Sequence, residues 1–581
     1  MSGQERGATP TLFTLHGSST TPEERIRSGM LWSAWADALG FITELTDERG
    51  VHRRTRGVPL THPVEWTRRI GGRQGVRATL PAGCYSDDTQ LRLAVSRAIT
   101  SRGFDVEAFA KIELAVWPSY ALGGGRASKA AASRIARPTS AWFSNQFDGW
   151  HQAGGNGAAM RVQPHAWAAA DRHDLVTDVI RDAVTTHGHP RALVGSVLIA
   201  AAIEHAMNTG NTPGIADWPD LLNLTMNAFD VFKYDEHLAG YWVGQWEQAT
   251  QQSFAQSWHR IIDECHRLLD VATPLVPTLA GATANEVTRN YADLANTLEL
   301  RDERSRGSGT VTTVAALVLA AAFPRDPMRA ALVPALAVGT DTDTIATMAA
   351  SVVATATPES LPSPVLDQDY LIAEADRLAS IRSRLDTSPT FPYPDLLHWT
   401  GPRSGLDCVG LVNGKLALAG MGTLEPFESA GTDRHAQWTW VHASWGQTLV
   451  VKHRPNPDDL PRGNWPRSGP PRSVPAISGP HPAPETLMHE PTLDEPRSSS
   501  ETTSAPPTDP APTPSSDVAS RNRPADVDSM LVWVERSKYA PEAIGYAVAR
   551  ISEVGTIEQL VAFTTALRAS LRRRAERDPR P

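Results

Sequence analysis

Two short stretches carry more oxygen donors than a local fold needs. The first, Gly83-Cys84-Tyr85-Ser86-Asp87-Asp88-Thr89-Gln90, sets adjacent carboxylates between hydroxyls; the second, Gly339-Thr340-Asp341-Thr342-Asp343-Thr344, alternates the two. Each is followed by an apolar periodic run, Leu91, Leu93, Ala94 and Val95 in one case and Ile345, Ala346, Met348 and Ala349 in the other, so both stand at helix starts. Capping is the plain explanation, since a Ser, Thr or Asp accepts an orphan amide and a first-turn carboxylate offsets the helix dipole. A cap needs one such residue, and here several crowd each start. Were the two starts to meet, four carboxylates would share one site, and their repulsion would raise pKa values or require a cation. With oxygen donors only and no Cys or His, Mg²⁺ or Mn²⁺ suits the set better than Zn²⁺. Two such ions bridged by a carboxylate and a water form a hydrolytic arrangement. Spacing along the chain leaves open whether the starts meet.

Several elements would have to position these donors. Thr21-Pro22-Glu23-Glu24 opens a helix that carries Ile26, Met30, Leu31 and Ala34 toward Asp37, with Gly40 ending it. Asp37, inside that apolar stretch, is either a hydrogen-bonded buried acid or a functional one; Glu44, past the glycine, reads on its own as a loop acid. The basic segment 53–82, with Arg68, Arg69 and Arg73, reads as a loop or lid with a solvated surface. Gly123-Gly124-Gly125 reads as a flexible turn. Gly154-Gly155-Asn156-Gly157 leads toward a helix where backbone amides could approach a phosphate, although such a triplet is commonly only a turn. Thr186-His187-Gly188-His189-Pro190 interrupts a long Ala/Leu/Val-rich helical region, and a histidine there is either a loop residue or a phosphate ligand. No sustained strand is expected before about Leu378, which makes the body all-α.

The chain has 581 residues, 41% hydrophobic and 20% charged, with a formal charge of −9. That is long enough for several domains and lacks the basic field that attracts nucleic acid. Cys84, Cys265 and Cys408 form neither a metal-like spacing nor a disulfide framework, which favours a reducing compartment. Residues 1–22 show no signal-peptide pattern, and 311–323, read as the longest apolar run, is too short to cross a bilayer, so a cytoplasmic protein away from membranes is expected. Beyond a helical domain at 22–378, a small β-hairpin unit is expected at 395–454, with one hairpin turning at Asn413-Gly414 and another across Trp445-Gly446. Two hairpins alone bury little, so they should dock on the helical body. The Pro/Ser/Thr-rich stretch 455–526 should be a disordered linker, and 527–577 a short helical segment.

Five segments in this order resemble the ADP-ribosylglycohydrolase family, which includes the dinitrogenase reductase-activating glycohydrolases. They are Ala36-Asp37-Ala38-Leu39-Gly40 with Glu44; Tyr85 through Gln90; Gly155 through Arg161; Thr186-His187; and Gly339 through Thr344. The resemblance covers roughly 22–375. It implies a compact orthogonal helical bundle and a site holding two Mg²⁺ ions, or Mn²⁺, on Ser86, Asp87, Asp88, Asp341, Asp343 and Thr344. Gly155, Asn156, Gly157 and His187 would line the diphosphate and adenosine part of the pocket, Glu44 would be an acidic gate beside the ribose, and Asp37 an acid behind the metals. The implied reaction is hydrolysis at the anomeric carbon of an ADP-ribosylated protein or small ADP-ribose conjugate, with Asp88 or Asp343 taking the proton from water. Ser86 stands where the family usually has Thr; Ala36 and Thr340 stand where Gly is common. An alternative is a catalytically weak or inactive ADP-ribose-binding module that acts as an interaction platform through its C-terminal region.

Overall fold

Helix α1 (Pro22–Thr43) begins with a reciprocal cap in which the Glu24 amide donates to Thr21 Oγ1 (3.2 Å) and the Thr21 amide to Glu24 Oε2 (2.8 Å), with Pro22 in the first turn. Its buried residues lie on every side of the helix, as in a central element walled by others. Trp32 and Trp35 interleave with Ala331, Ala335, Ala346, Ala350 and Ala354, large against small, where α1 runs along the helix Thr342–Ala356. Burying an indole removes roughly 200 Å² from water, about 5 kcal/mol before entropy, so this seam holds the two helices in fixed register. Gly40 does not end α1, contrary to the sequence reading. The helix runs on to Thr43, and Leu45, with φ of 48°, turns the chain out just after it.

The computed structural model describes residues 20–72, 75–384, 390–433, 435–467, 527–537, 539–555 and 557–577; Arg73 and most of the expected linker lie outside them. The all-α expectation for the body needs correction at the supposed loop. After a short helix α2 (Glu48–Arg54), strands β1 (Trp66–Ile70) and β2 (Val76–Leu80) pair antiparallel, with Trp66 opposite Leu80 and Ile70 opposite Val76. Arg69 and Arg77 share the outward face with Thr67 and Thr79, and Arg68 takes an inward position between Trp66 and Ile70, so charge masks the two-residue alternation of Trp66, Ile70, Val76, Ala78 and Leu80. Helix α3 (Asp87–Ala98) follows, then the two-residue strands β3 (Ile99–Thr100) and β4 (Gly103–Phe104). Among the described residues the helix Pro190–Thr209 is longer than the helix Gly309–Ala322 that carries the 311–323 run. By length and composition it could cross a membrane, but 83% of its apolar window is buried inside the protein, as in a core helix.

Past the helices a single antiparallel sheet forms in the order β5-β6-β7-β8-β9: Val409–Val412, Lys415–Leu418, Gly422–Thr432, Gln437–Ala443 and Thr448–His453. The Asn413-Gly414 turn has both φ angles positive, 51° and 75°, the geometry a two-residue hairpin demands. The expectation of two hairpins missed β7, whose Pro426 and two bulges break the alternation that marks a strand. The sheet docks through Ala430, Trp438, Trp440 and Val450 onto Trp66, Val76, Ala78 and Phe41, placing the β1–β2 hairpin between the sheet and the end of α1. A second tie is polar. The Asp367 carboxylate accepts from Tyr85 Oη (2.7 Å) and the Thr448 amide (2.9 Å), while Gln447 Oε1 accepts from Arg97 (3.1 Å).

The linker was expected from 455, but the chain stays tied to the ordered body as far as Trp465. The Leu460 amide donates to the Leu411 carbonyl (2.9 Å), and Asn464 pairs with both backbone groups of Thr400. Residues 468–526 lie outside the described residues. Within 527–577, the helices Val527–Arg536, Pro541–Val554 and Ile557–Arg577 close around Val534, Ala543, Ala547, Ile551, Phe563 and Leu567 as a unit of their own.

Candidate active site

Both acidic turns hang from α1, at residues Asp37 and Gly40. These are three positions apart and so share one face of the helix, roughly 5–6 Å from each other. Asp37 takes the first turn: its Oδ1 accepts from the Ser86 amide (3.0 Å) and its Oδ2 from the Thr89 amide (2.9 Å) and hydroxyl. Gly40 takes the second. Its carbonyl accepts from Thr342 Oγ1 (2.9 Å), and a Cβ placed on it would lie 2.5 Å from the Asp343 Cα, so only glycine allows this approach. Two turns far apart in sequence therefore start within about one helical turn of each other.

Capping accounts for little of this oxygen. Ser86 caps α3, its hydroxyl accepting from the Asp88 amide (3.1 Å), whereas Asp341 at the N-cap of Thr342–Ala356 makes no side-chain cap bond. Asp343 Oδ1 accepts only from the neighbouring Thr344 amide (2.9 Å). Asp88 Oδ2 is buried with no hydrogen-bond partner among the described residues, a costly state for a carboxylate. Burial first, then the charges of Asp37, Asp87 and Asp341, pushes the Asp88 carboxyl well above the usual range. Burial followed by Glu44, Asp88, Asp341 and Asp37 does the same to Asp343. Asp87 is pushed up to about 6 by burial and Asp37, with Lys129 opposing. Asp37 is raised by burial although both its oxygens are engaged, so its role is to hold the first turn.

Glu44 sits at the rim. Burial, countered by Arg68 and reinforced by Asp87 and Asp341, lifts its carboxyl to about 7, and its Oε2 lies 3.7 Å from Arg68 Nη1. Asn156 reaches the same centre, donating from Nδ2 to Asp341 Oδ2 (3.0 Å). Its backbone amide is spent on the Gly307 carbonyl (2.9 Å), and Gly155 bridges to Ser308, so this stretch is tied to the 307–308 loop and does not offer the Asn156 amide to a phosphate. His187 packs beneath Gly157, whose absent Cβ would lie 3.0 Å from the ring; burial pushes its imidazole down to about 3, leaving it neutral and bonded to Thr186 Oγ1 (2.7 Å). The structure thus groups Glu44, Asn156, Asp341 and Asp343 with the first turn, and sets Gly155, Gly157 and His187 alongside.

Three contributors escaped the sequence reading. Gly123 is one: a Cβ there would lie 2.0 Å from Asp87 Oδ1, so the glycine run is a wall of the site. Arg92, fully buried, bonds Ser33 Oγ (2.8 Å) and Gln163, and its pKa falls to about 10 through burial while Asp37 and Asp88 resist. An arginine within the apolar run after Gln90 was the available signal. The Gly307-Ser308-Gly309 loop is the third, detectable only as another small-residue turn. Among the described residues no three His, Cys, Asp or Glu side chains already close on a common point; the set expected to hold ions is four carboxylates and two hydroxyls.

The family description ADP-ribosylglycohydrolase matches residues 18–388, well over half the chain. The chain belongs to the ADP-ribosylglycohydrolase family. A curated relative, the ADP-ribosyl-[dinitrogen reductase] glycohydrolase of Rhodospirillum rubrum, is 28% identical over 193 residues, 31% of this chain and 58% of the relative. This ADP-ribosylglycohydrolase chain thus spans little more than half of that relative's length. A solved structure described as an ADP-ribosylglycohydrolase-related protein complex aligns with 62% of the chain and 99% of its own, at 19% identity and a TM-score of 0.39, a likeness too loose to bear on the site.

Proposed function

We propose that the chain hydrolyses the glycosidic bond between ADP-ribose and an acceptor, a protein side chain or a small conjugate, in a reaction that depends on Mg²⁺ or Mn²⁺. The observation that carries this reading is the pairing of Asp37 with the first acidic turn and Gly40 with the second. The donor set fits a hard divalent ion: oxygen only, with Asp88 Oδ2 buried and unpartnered among the described residues, and the Asp88 and Asp343 carboxyls driven up by burial and then by neighbouring carboxylates. Ser86, Asp87, Asp88, Asp341, Asp343 and Thr344 are the residues that would hold two ions. When bound, such ions neutralise the crowded carboxylates and acidify water.

The chain's own groups do the rest. Asp88 or Asp343 accepts the proton of the attacking water; burial and the neighbouring carboxylates raise the proton affinity of each. The remaining negative charge faces the cationic sugar of the transition state. Glu44, with a pKa near the working pH, positions the ribose or donates a proton toward the departing group. Asn156 steadies Asp341. All three cysteines are buried and unpaired, which supports a reducing compartment such as the cytoplasm.

The test is ADP-ribose release by the purified chain from a panel of arginine-, serine- and O-acyl-linked substrates, with Mg²⁺ against EDTA. Release with Mg²⁺ is expected from at least one linkage, and the double variant Asp87→Ala, Asp343→Ala should abolish it. Turnover in that variant equal to the parent's would refute the site assignment.

A further inference from the structure

A cavity of ≈430 Å³ beside Glu44 is lined by Arg53 and Arg54 from the end of α2, Arg68 and Arg69 from β1, and Arg77 from β2, with Thr67 between them and no acidic residue among the described residues of the lining. Arg69 and Arg77 are direct cross-strand partners, a like-charge pairing that costs stability in a hairpin. The sheet behind the hairpin holds this arrangement in place: a Cβ on Gly71 would lie 2.5 Å from the Trp438 ring and one on Gly431 2.8 Å from the Val76 Cβ, so backbone and side chain pack closely at both points. Arg68 is fixed over the Phe41 ring at 4.3 Å, yet its buried Nη1 has no hydrogen-bond partner among the described residues, and Glu44, its ion-pair partner at 3.7 Å, is too far to supply one. Arg54 spends Nη1 on the Ile42 and Glu44 carbonyls (2.7 and 2.8 Å) and lies over Trp66 at 5.0 Å. Crowding is evident there too, since burial and then Arg68 push Arg54 down to about 10.

We propose that this arginine pocket binds a phosphoryl anion. Guanidinium forks match phosphate oxygens in pairs, and convergence of charge from three elements suits a compact polyanion. The neighbouring ring faces, Phe41 and Trp66, are buried and already covered by Arg54 and Arg68, so no base can stack and single-stranded nucleic acid is not the fit. Thr46 also lines a second cavity of ≈330 Å³, with Leu45, Arg306, Gly339 and Thr340. Through Arg68, 3.7 Å from Glu44, a phosphoryl group in the arginine pocket adjoins the rim of the acidic centre. It belongs either to the diphosphate of the ADP-ribosyl group or to a separate phosphate, free or carried by the acceptor.

Calorimetric titration of the full chain with pyrophosphate, in EDTA and at low salt, reads this without turnover. One saturable site per chain is expected. Arg53→Ala with Arg77→Ala, both exposed side chains, should weaken it by about tenfold or more, while Arg289→Ala with Arg325→Ala, which removes the same charge elsewhere, should leave it unchanged. Absence of saturable binding, or equal loss in both double variants, would overturn the proposal. Displacement of pyrophosphate by ADP-ribose would assign the pocket to the substrate's own diphosphate, and simultaneous binding would assign it to a second phosphoryl group. A chain that binds pyrophosphate in this way but releases no ADP-ribose would refute the hydrolase reading alone.

Discussion

Gly40→Ala separates packing from chemistry in this protein. A Cβ at position 40 would lie 2.5 Å from the Asp343 Cα, 2.5 Å from the Thr342 carbonyl oxygen and 2.6 Å from the Asp343 amide nitrogen. All three are backbone atoms that cannot rotate away, so α1 and the Thr342–Ala356 helix must move apart by about 1 Å to restore ordinary contact. Overpacking of that kind costs about 1–3 kcal/mol. Alanine in a helix interior returns about 1 kcal/mol relative to glycine. The net loss of stability is therefore small, on the order of 1 kcal/mol. Activity responds differently, because the same shift moves Asp343 against Asp88, and a misplacement of about 1 Å can cost around 100-fold in rate. ADP-ribose release by the Gly40→Ala protein should fall by about two orders of magnitude while its Tm drops by only a few degrees. Both are measured on the purified chain, by product chromatography and by thermal unfolding. Parent-level kcat/KM in a variant that remains folded would refute the claim that the two turns act as one site.

Two further outcomes test the frame around that site. Ending the chain after Arg384 removes the sheet that covers Trp66 and Val76 and the Thr448 amide that Tyr85 shares through Asp367; it should yield insoluble or inactive protein, and a soluble, fully active fragment would show that the sheet is dispensable. Asp178, in the helix Arg172–Val184, is pushed up to about 6 by burial, with His165 and Arg181 opposing. A carboxyl raised in the folded state costs stability as pH rises from its unfolded pKa through its folded one, so the cost is absent near pH 3 and complete above about pH 7. Asp178→Asn should therefore gain on the parent by about 2–3 kcal/mol between those limits, read as a widening Tm difference; a gap that is flat or narrows with pH would contradict this.

The legible parts were those whose signals are local. The Thr21 cap, the Asn413-Gly414 turn and the helices that follow Ser86 and Asp341 each announce themselves within a few residues, and all form as read. The unread parts share one cause: their pattern is completed by a partner. The β1–β2 hairpin hides behind exposed arginines because its inner face is paid for by Trp438 and Trp440, and β7 survives its proline and bulges because β6 and β8 flank it. Gly40 looks like a helix end until Asp343 is seen against it.

By itself the sequence determined the inventory of the site: how many carboxylates, which hydroxyls, and that only oxygen is on offer. Periodicity and caps act over a few residues, so it also determined that each cluster opens a helix. Tertiary structure alone decided that the clusters meet, because distance between remote segments is set by what packs between them. Here that is one face of α1, with an aspartate for one turn and a glycine for the next. Tertiary structure likewise decided that five arginines read as solvated surface converge on a cavity, since a strand pairing and a docked sheet, neither visible in local spacing, bring them together.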